Sequence, residues 1–123
     1  MFSFQKLEIY QESKALIKSV YKLLDNFPKT EKYALCDQIR RAVVSIPSNI
    51  AEGMSRISPK EKAHFIEISY GSLLETICQL EIAQELEYIS IDQLQNMQKE
   101  FEKLAIKLSR FRKSILAAQT SKS

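Results

Sequence analysis

The stretch from Arg40 to Gly53 constrains the fold most, because it has helical periodicity and yet contains a proline. At about 100° per residue, the apolar side chains in and just before it form one stripe: Ile39, Ala42, Val43, Ile46 and Ile50. Pro47 lacks an N–H group, which should cost roughly 3 kcal/mol in a helix interior. We expect Asn49 to offset part of this cost by bonding a carbonyl group that Pro47 leaves free. The stretch therefore predicts a helix kinked at Pro47, with Asn49 and Gly53 at the edge of the stripe.

Four helical segments follow from the apolar spacing and the helix breakers. We predict helix 1 over residues 4–26, helix 2 over 31–56, helix 3 from the Ser58-Pro59 start signal to about residue 88, and helix 4 after Ser90. Thr30 is the expected N-cap of helix 2. Short connections make neighbouring helices antiparallel. The predicted fold is all-α, an antiparallel up-down-up-down four-helix bundle in one domain over residues 1–118, followed by a polar tail over 119–123.

Helices 1 and 3 carry more apolar residues than the inside of one bundle requires. Helix 1 has two seams, one of Leu7, Tyr10, Ile17, Tyr21 and Leu24, the other of Ile9, Leu16, Val20, Leu23 and Phe27. In helix 3, Phe65, Ile68, Leu74 and Ile82 lie off the main seam of Ile66, Tyr70, Leu73, Ile77 and Leu80. Gly71 in mid-helix predicts close approach of a neighbouring helix. We expect self-assembly; the alternative is that broad stripes pack inside a monomer against Tyr10 and Tyr70.

The sequence contains few of the parts that metal sites and active sites need. Cys36 and Cys78 are 42 positions apart, and we predict two reduced, buried thiols. Glu61 and His64 match the Glu-x-x-His spacing of di-iron bundles, but such sites need two copies and this chain has one histidine. We therefore predict no metal and no cofactor, and a solvated histidine.

Catalytic motifs are also missing from the sequence. There is no Gly-x-Ser-x-Gly elbow and no glycine-rich phosphate loop, so we assign no catalytic residues and predict a non-enzymatic protein. Glu52 and Glu75 are candidates for paired carboxylates, although a polar contact that fixes helix register is the preferred role for both.

The charge is uneven along the chain, although the net charge is only +3. Residues 81–98 contain four acids and no Lys or Arg, whereas residues 99–123 contain seven bases and two acids. We predict phosphate contacts from a helix 4 row of Lys99, Lys103, Lys107, Arg110 and Lys113, and from Arg40, Arg41, Arg56 and Lys60. Lys14, Lys18 and Lys22 form a similar row on helix 1. The alternative is a solvated face stabilised by the helix dipole.

One long run carries a family resemblance. QIRRAVVSIPSNIAEG, from Gln38 to Gly53, closely resembles the signature of bacterial proteins encoded in intervening sequences of 23S rRNA genes. The likeness extends to residues 27–35, 71–75 and 79–83. It implies a four-helix bundle that assembles into a homopentamer, with no established enzymatic activity. The chain is also similar to the accessory protein of diversity-generating retroelements, a basic pentameric bundle that contacts nucleic acid and a reverse transcriptase.

The sequence therefore predicts a homo-oligomeric, non-enzymatic bundle that binds RNA, DNA or a nucleic-acid-bound protein through basic helix faces. The shape of the bundle is assigned to Pro47, Asn49, Gly53, Gly71 and Glu75. No signal peptide and no membrane-spanning run is present, so we expect a cytoplasmic protein without a membrane partner. The competing hypothesis is a structural or protein-interaction module that does not bind nucleic acid.

Overall fold

The computed structural model describes the backbone of residues 1–121 and the side chains of residues 1–118. A 3-10 turn over Ser3–Lys6 precedes α1 (Glu8–Leu24), and a second over Lys29–Glu31 precedes α2 (Leu35–Met54). The chain continues with α3 (Pro59–Glu85) and α4 (Ile91–Ser121). The predicted polar tail over 119–123 reaches beyond the described residues. The all-α, four-helix prediction is confirmed for the described chain.

The four helices form a closed cycle in which α1 packs on α2 and α4, and α3 packs on the same two helices. Lys62, near the start of α3, donates to the carbonyl group of Met54 at the end of α2. Ser72, farther along α3, contacts Ser45, which lies earlier in α2. These two helices are therefore antiparallel. Within the described chain the backbones of α1 and α3, and those of α2 and α4, do not approach each other to within 8 Å between Cα atoms, so these pairs lie across the diagonals of the bundle.

Two of the three predicted helix starts are confirmed by their capping bonds. The N–H group of Glu61 donates to Ser58 Oγ at 3.2 Å. Ser90 and Gln93 form a complete capping box, with bonds of 3.0 and 2.8 Å. The prediction of Thr30 as an N-cap is wrong, because Thr30 lies inside the second 3-10 turn and α2 begins only after Ala34.

The core contains the predicted apolar stripe of α2 in full. Ile39, Ala42, Val43, Ile46 and Ile50 are all buried, whereas Arg41 and Ser48 are exposed. On α4 the residues Leu94, Met97, Phe101, Leu104 and Leu108 are buried. On α1 the seam of Ile9, Leu16, Val20, Leu23 and Phe27 enters the core, whereas Tyr21 of the other seam is 39% exposed. Leu24 of that seam is buried, and Leu7, Tyr10 and Ile17 pack against the core. Most of the second seam therefore packs within the subunit, and Tyr21 is its exposed member.

Pro47 lies within an α-helix that is assigned continuously from Leu35 to Met54. The amide nitrogen of Asn49 donates to the carbonyl oxygen of Ser45 at 2.8 Å and also contacts Ser45 Oγ. The prediction that the Asn49 side chain bonds the carbonyl group that Pro47 leaves free is therefore wrong. That group belongs to Val43, whereas a side chain at position 49 reaches the carbonyl group one turn before it. A bend at Pro47 stays a prediction.

The two glycines have opposite surroundings. A Cβ atom on Gly53 would lie 2.7 Å from Phe65 Cβ and 3.3 Å from the carbonyl oxygen of Lys62, so glycine allows α2 and α3 to approach. A Cβ atom on Gly71 would meet nothing within 4 Å. The prediction that a neighbouring helix approaches Gly71 is therefore wrong within one subunit, because this residue lies on the outward side of α3.

Cys36 is buried, but Cys78 is exposed, which corrects the prediction of two buried thiols. Position 78 follows the helical spacing of Gly71 and Ile82, both of which lie on the outward side of α3. None of the helices in the described residues is both long and apolar enough to cross a membrane.

Candidate nucleic-acid interface

The bases predicted on α4 lie on the side of the helix away from its buried stripe. Four of them, Lys99, Lys103, Arg110 and Lys113, are exposed. Ile106 lies among them and is 50% exposed. The outward face of α4 thus carries four exposed bases, the apolar side chain of Ile106 and one exposed acid, Glu102. The two aromatic side chains in this part of α4 do not join it, since Phe101 is buried and Phe111 packs against the core.

Lys107 differs from the rest of the row because its ammonium group binds two carboxylates of α1. Lys107 Nζ donates hydrogen bonds to Glu8 and to Glu12, the latter at 2.6 Å. Lys103 Nζ lies 3.6 Å from the same Glu12 oxygen. The hydrogen bond with Glu12 is the largest cause of the raised pKa of Lys107, and the hydrogen bond with Lys107 is the largest cause of the lowered pKa of Glu8. These ion pairs join α1 to α4.

Three bases of the α4 row remain without an acidic partner. Among the side chains of residues 1–118, Lys99, Arg110 and Lys113 form no ion pair. We call this set the α4 basic row. A base that forms no ion pair can bind an outside anion without breaking a contact inside the subunit, so these three side chains are the best placed to meet phosphate.

The α2 arginines are close to one acid. Arg41 Nη2 lies 3.1 Å from Asp37 Oδ2, and Arg40 Nη1 lies 4.0 Å from Asp37 Oδ1. Arg40 also donates to the carbonyl oxygen of Lys32 at 3.3 Å. The side chain of Arg41 is 81% exposed, so its ion pair is a weak surface contact that a phosphate group can replace.

Arg56 and Lys60 lie where α2 ends and α3 begins. Arg56 Nη2 is 2.6 Å from Glu52 Oε1, and its guanidinium carbon lies 4.7 Å from the centre of the Phe65 ring. Lys60 is exposed in the first turn of α3. The guanidinium group of Arg56 therefore has both a carboxylate partner and an aromatic ring within the subunit.

The predicted bases fall into three separate groups in one subunit. Arg40 and Arg41 lie near the start of α2, and Arg56 and Lys60 lie at the junction of α2 with α3. The α4 basic row is on the helix that lies diagonally across from α2. One copy of the chain therefore does not bring these groups together on one face.

The polar residues near Pro47 make local contacts. Ser45 Oγ and Ser72 Oγ are 2.8 Å apart, and Ser69 Oγ donates to the carbonyl oxygen of Ile46 at 2.8 Å. Glu75 accepts from Gln79 Nε2 at 3.3 Å, a contact within its own helix. Glu52 pairs with Arg56 at 2.6 Å. The two carboxylates considered as a pair thus have different partners.

Metal ligands do not converge within the described residues, where no group of three or more His, Cys, Asp or Glu side chains is arranged to hold an ion. His64 is exposed in α3.

Sequence reasoning missed the partners of the α4 bases. Glu8 and Glu12 are one helical turn apart, as are Lys103 and Lys107, and this matched spacing on two helices was the available signal. Arg112 was also missed as a contact between helices; its Nη2 lies 3.5 Å from Glu67 Oε2.

Comparisons with known proteins agree with this architecture. A solved structure from Bacteroides thetaiotaomicron, described as a protein with unknown function from the S23 ribosomal protein family, has a TM-score of 0.73 and 24% sequence identity. The match covers 85% of this chain and 98% of that chain, and at this identity it shows a shared fold. No curated protein matches the chain. The family described as 23S rRNA-intervening sequence protein matches residues 5–110. The chain therefore belongs to the 23S rRNA-intervening sequence protein family.

Proposed function

We propose that the protein is a non-enzymatic, cytoplasmic homo-oligomer, a pentamer, that binds nucleic acid or a ribonucleoprotein through the outward face of α4. The α4 basic row carries this proposal, because its three members have no acidic partner among residues 1–118. Lys103 keeps a looser pair with Glu12 and adds to the same face. Arg40, Arg41, Arg56 and Lys60 supply further contacts at other positions on the bundle.

The dimensions of the row suit a phosphate backbone. Lys99 and Lys113 are 14 positions apart, which corresponds to about 21 Å at 1.5 Å per residue. Consecutive phosphates of one strand of duplex DNA advance by about 3.4 Å along the axis, so the row spans several of them. Lysine and arginine contacts to phosphate do not read sequence. The α4 aromatic side chains Phe101 and Phe111 pack in or against the core, so they do not stack on bases at this face. The proposed binding is therefore sensitive to salt and indifferent to sequence.

Assembly strengthens such binding. Three bases on one subunit give a weak, non-specific contact, because each phosphate contact contributes little at physiological salt. Copies in one oligomer present the row several times to the same polymer, and each later contact is then intramolecular.

A salt series on RNA and DNA tests the proposal. The Lys99→Gln, Lys113→Gln double variant should weaken binding and reduce the slope of log K against log salt by about 2 in magnitude for each subunit that engages the polymer, because two phosphate contacts per subunit are lost. Lys6→Gln with Lys29→Gln is the matched control, since both lysines are exposed and lie outside α4. Equal losses in the two variants would contradict an α4 interface.

A second function has a specific observation in its favour. Lys103, Lys107, Arg41 and Arg56 all pair with carboxylates of their own chain, as expected for a bundle that uses its charges for structure. The alternative is a structural or protein-interaction module with no nucleic-acid role. Absence of any retention on RNA and DNA at low salt would favour this alternative.

A further inference from the structure

The outward face of α3 carries partly exposed apolar side chains between exposed acidic ones. Ile68, Leu74 and Ile82 are 38%, 47% and 42% exposed, and Cys78 is exposed between the last two. We call these four residues the α3 patch. Several partly exposed apolar side chains on one helix face are typical of a surface that another molecule covers.

Gly71 lies within the α3 patch. Glycine in a helix interior costs about 1 kcal/mol relative to alanine, and here no atom of the subunit would contact an added Cβ. The subunit thus gains nothing in packing from this glycine. A helix that approaches from outside would fit against the flat surface that glycine leaves.

Acidic side chains lie between the members of the patch and beside them. Between residues 63 and 98 the sequence has no Lys or Arg, and Glu67, Glu75, Glu81 and Glu85 are all exposed on α3. Two copies of this face would repel each other if they met directly, because like charges at an interface are unfavourable. The partner of the patch should therefore be basic.

The outward face of α1 has the complementary character. Residues 13–24 contain no acid, and Lys14, Lys18 and Lys22 are exposed at intervals of one turn. Tyr21 is 39% exposed and Ile17 is half-buried beside them. This face combines three positive charges with apolar surface, and α1 lies diagonally across the bundle from α3.

The two faces also match in level along the bundle. Lys107 of α4 reaches Glu8 and Glu12 of α1, and Arg112 of α4 reaches Glu67 of α3. Because α4 contacts both helices, these ion pairs show which residues of α1 and α3 lie at the same height along the bundle axis. To within about one helical turn, three heights match. These are Lys14 with Leu74 and Glu75, Lys18 with Cys78, and Lys22 with Glu81 and Ile82.

We infer that the α3 patch of one copy docks on the outward face of α1 of the next copy. The inference rests on the self-assembly in the proposed function and identifies the surfaces that carry it. The contact joins two different faces, so it is head to tail, and such a contact closes into a ring when its rotation permits. When neighbouring copies are related by rotation about an axis parallel to the helices, they are not shifted along that axis. Residues at the same height then meet, so Lys14 of one copy lies near Glu75 of the next and Lys22 lies near Glu81. The face of α4 stays uncovered.

Crosslinking between Cys78 and an introduced cysteine tests the pairing. In Lys18→Cys, a short bismaleimide should join position 18 of one copy to Cys78 of the next and give a ladder of covalent multimers on a denaturing gel. Lys99→Cys is the matched control, since Lys99 lies on the outward face of α4 at a similar level. It should give no ladder, and neither should the unmodified chain, because Cys36 is buried.

A charge exchange gives an independent readout. Lys14→Glu with Lys22→Glu should weaken assembly about tenfold or more, as should Glu75→Lys with Glu81→Lys, because each places two like-charged pairs at every contact. The four changes together should restore the assembled mass. Failure of the combined variant to assemble, while its helical content is unchanged, would overturn the inference.

The outcomes separate this inference from the proposed function. A native mass of one subunit for the unmodified chain would overturn both the docking and the proposed oligomer. A multimeric mass with ladders in Lys99→Cys, or with Cys78-to-Cys78 dimers in the unmodified chain, would overturn only the pairing of α3 with α1. If added RNA, and not a second copy of the chain, protected Cys78 from labelling, the inference that α1 of the next copy covers the α3 patch would likewise be overturned.

Discussion

Lys107 Nζ and Glu12 Oε1 lie 2.6 Å apart, and this contact joins the last helix of the bundle to the first. Glu8 binds the same ammonium group. The sequence pattern alone placed Lys107 with the exposed bases of α4. The structure makes it a contact between helices, with 24% of its side chain exposed.

Stability should depend on pH through this cluster. The pKa of Glu8 is lowered, chiefly by its hydrogen bond with Lys107, so the folded protein holds the charged carboxylate more firmly than the unfolded chain does. This contribution is fully present above the ordinary Glu pKa of about 4.5 and is lost as the pH falls through the lowered value. Denaturant titrations from pH 6 to about pH 3 should therefore show a smaller loss of stability in Glu8→Gln than in the unmodified chain. Glu102→Gln, on an exposed side chain of α4 without an ion pair among residues 1–118, should leave the pH profile unchanged.

The two glycines should respond oppositely to alanine. Gly53→Ala should lower the free energy of unfolding by about 1–3 kcal/mol, because the new Cβ meets Phe65 Cβ at 2.7 Å and neither atom ends a flexible side chain. Gly71→Ala should raise it by about 0.5–1 kcal/mol, since its site is open and alanine favours the helix. Urea denaturation at concentrations where the single subunit dominates measures both. Similar losses in the two variants would show that helix propensity and packing space do not control these sites.

The helices were predictable because their signals are local. The stripe of Ile39, Val43, Ile46 and Ile50 follows from spacing alone, and the Ser90–Gln93 capping box follows from two residues three positions apart. Thr30 failed as an N-cap because the second 3-10 turn delays the start of α2, and turns of this kind leave little trace in apolar spacing.

The contacts between helices were harder to predict because they depend on how the helices are rotated against each other. Gly53 and Gly71 look alike in sequence, yet one lies against Phe65 and the other faces solvent. Cys78 was assigned to the core because its neighbours are apolar, although those neighbours belong to the surplus face of α3. For the candidate site, the bases of α4 could be identified from the sequence. Only the structure shows which of them form ion pairs with the carboxylates of α1.

The buried hydroxyl group of Ser69 on α3 should contribute more to stability than the exposed hydroxyl group of Ser48 on α2. Ser69 is fully buried and donates to the carbonyl oxygen of Ile46, next to Pro47. Ser69→Ala should destabilise the protein by about 1 kcal/mol, the typical net value of one hydrogen bond. Ser48→Ala on the solvent side of α2 should change stability by less than about 0.5 kcal/mol. Thermal or urea denaturation compares the two, and equal effects would remove any special role for the bond beside Pro47.

The two thiols should report on assembly through their rates of labelling. Cys36 should react slowly in the folded protein, because burial is the main cause of its raised pKa and keeps it from forming the reactive thiolate. Cys78 is exposed in the subunit and should react quickly when the protein is dilute. If the α3 patch docks on α1 of a second copy, labelling of Cys78 should slow as protein concentration rises, while labelling of Cys36 stays slow throughout. Cys78→Ser removes the fast phase and identifies it. A Cys78 rate that is the same in the assembled and dissociated protein would show that the α3 patch remains uncovered.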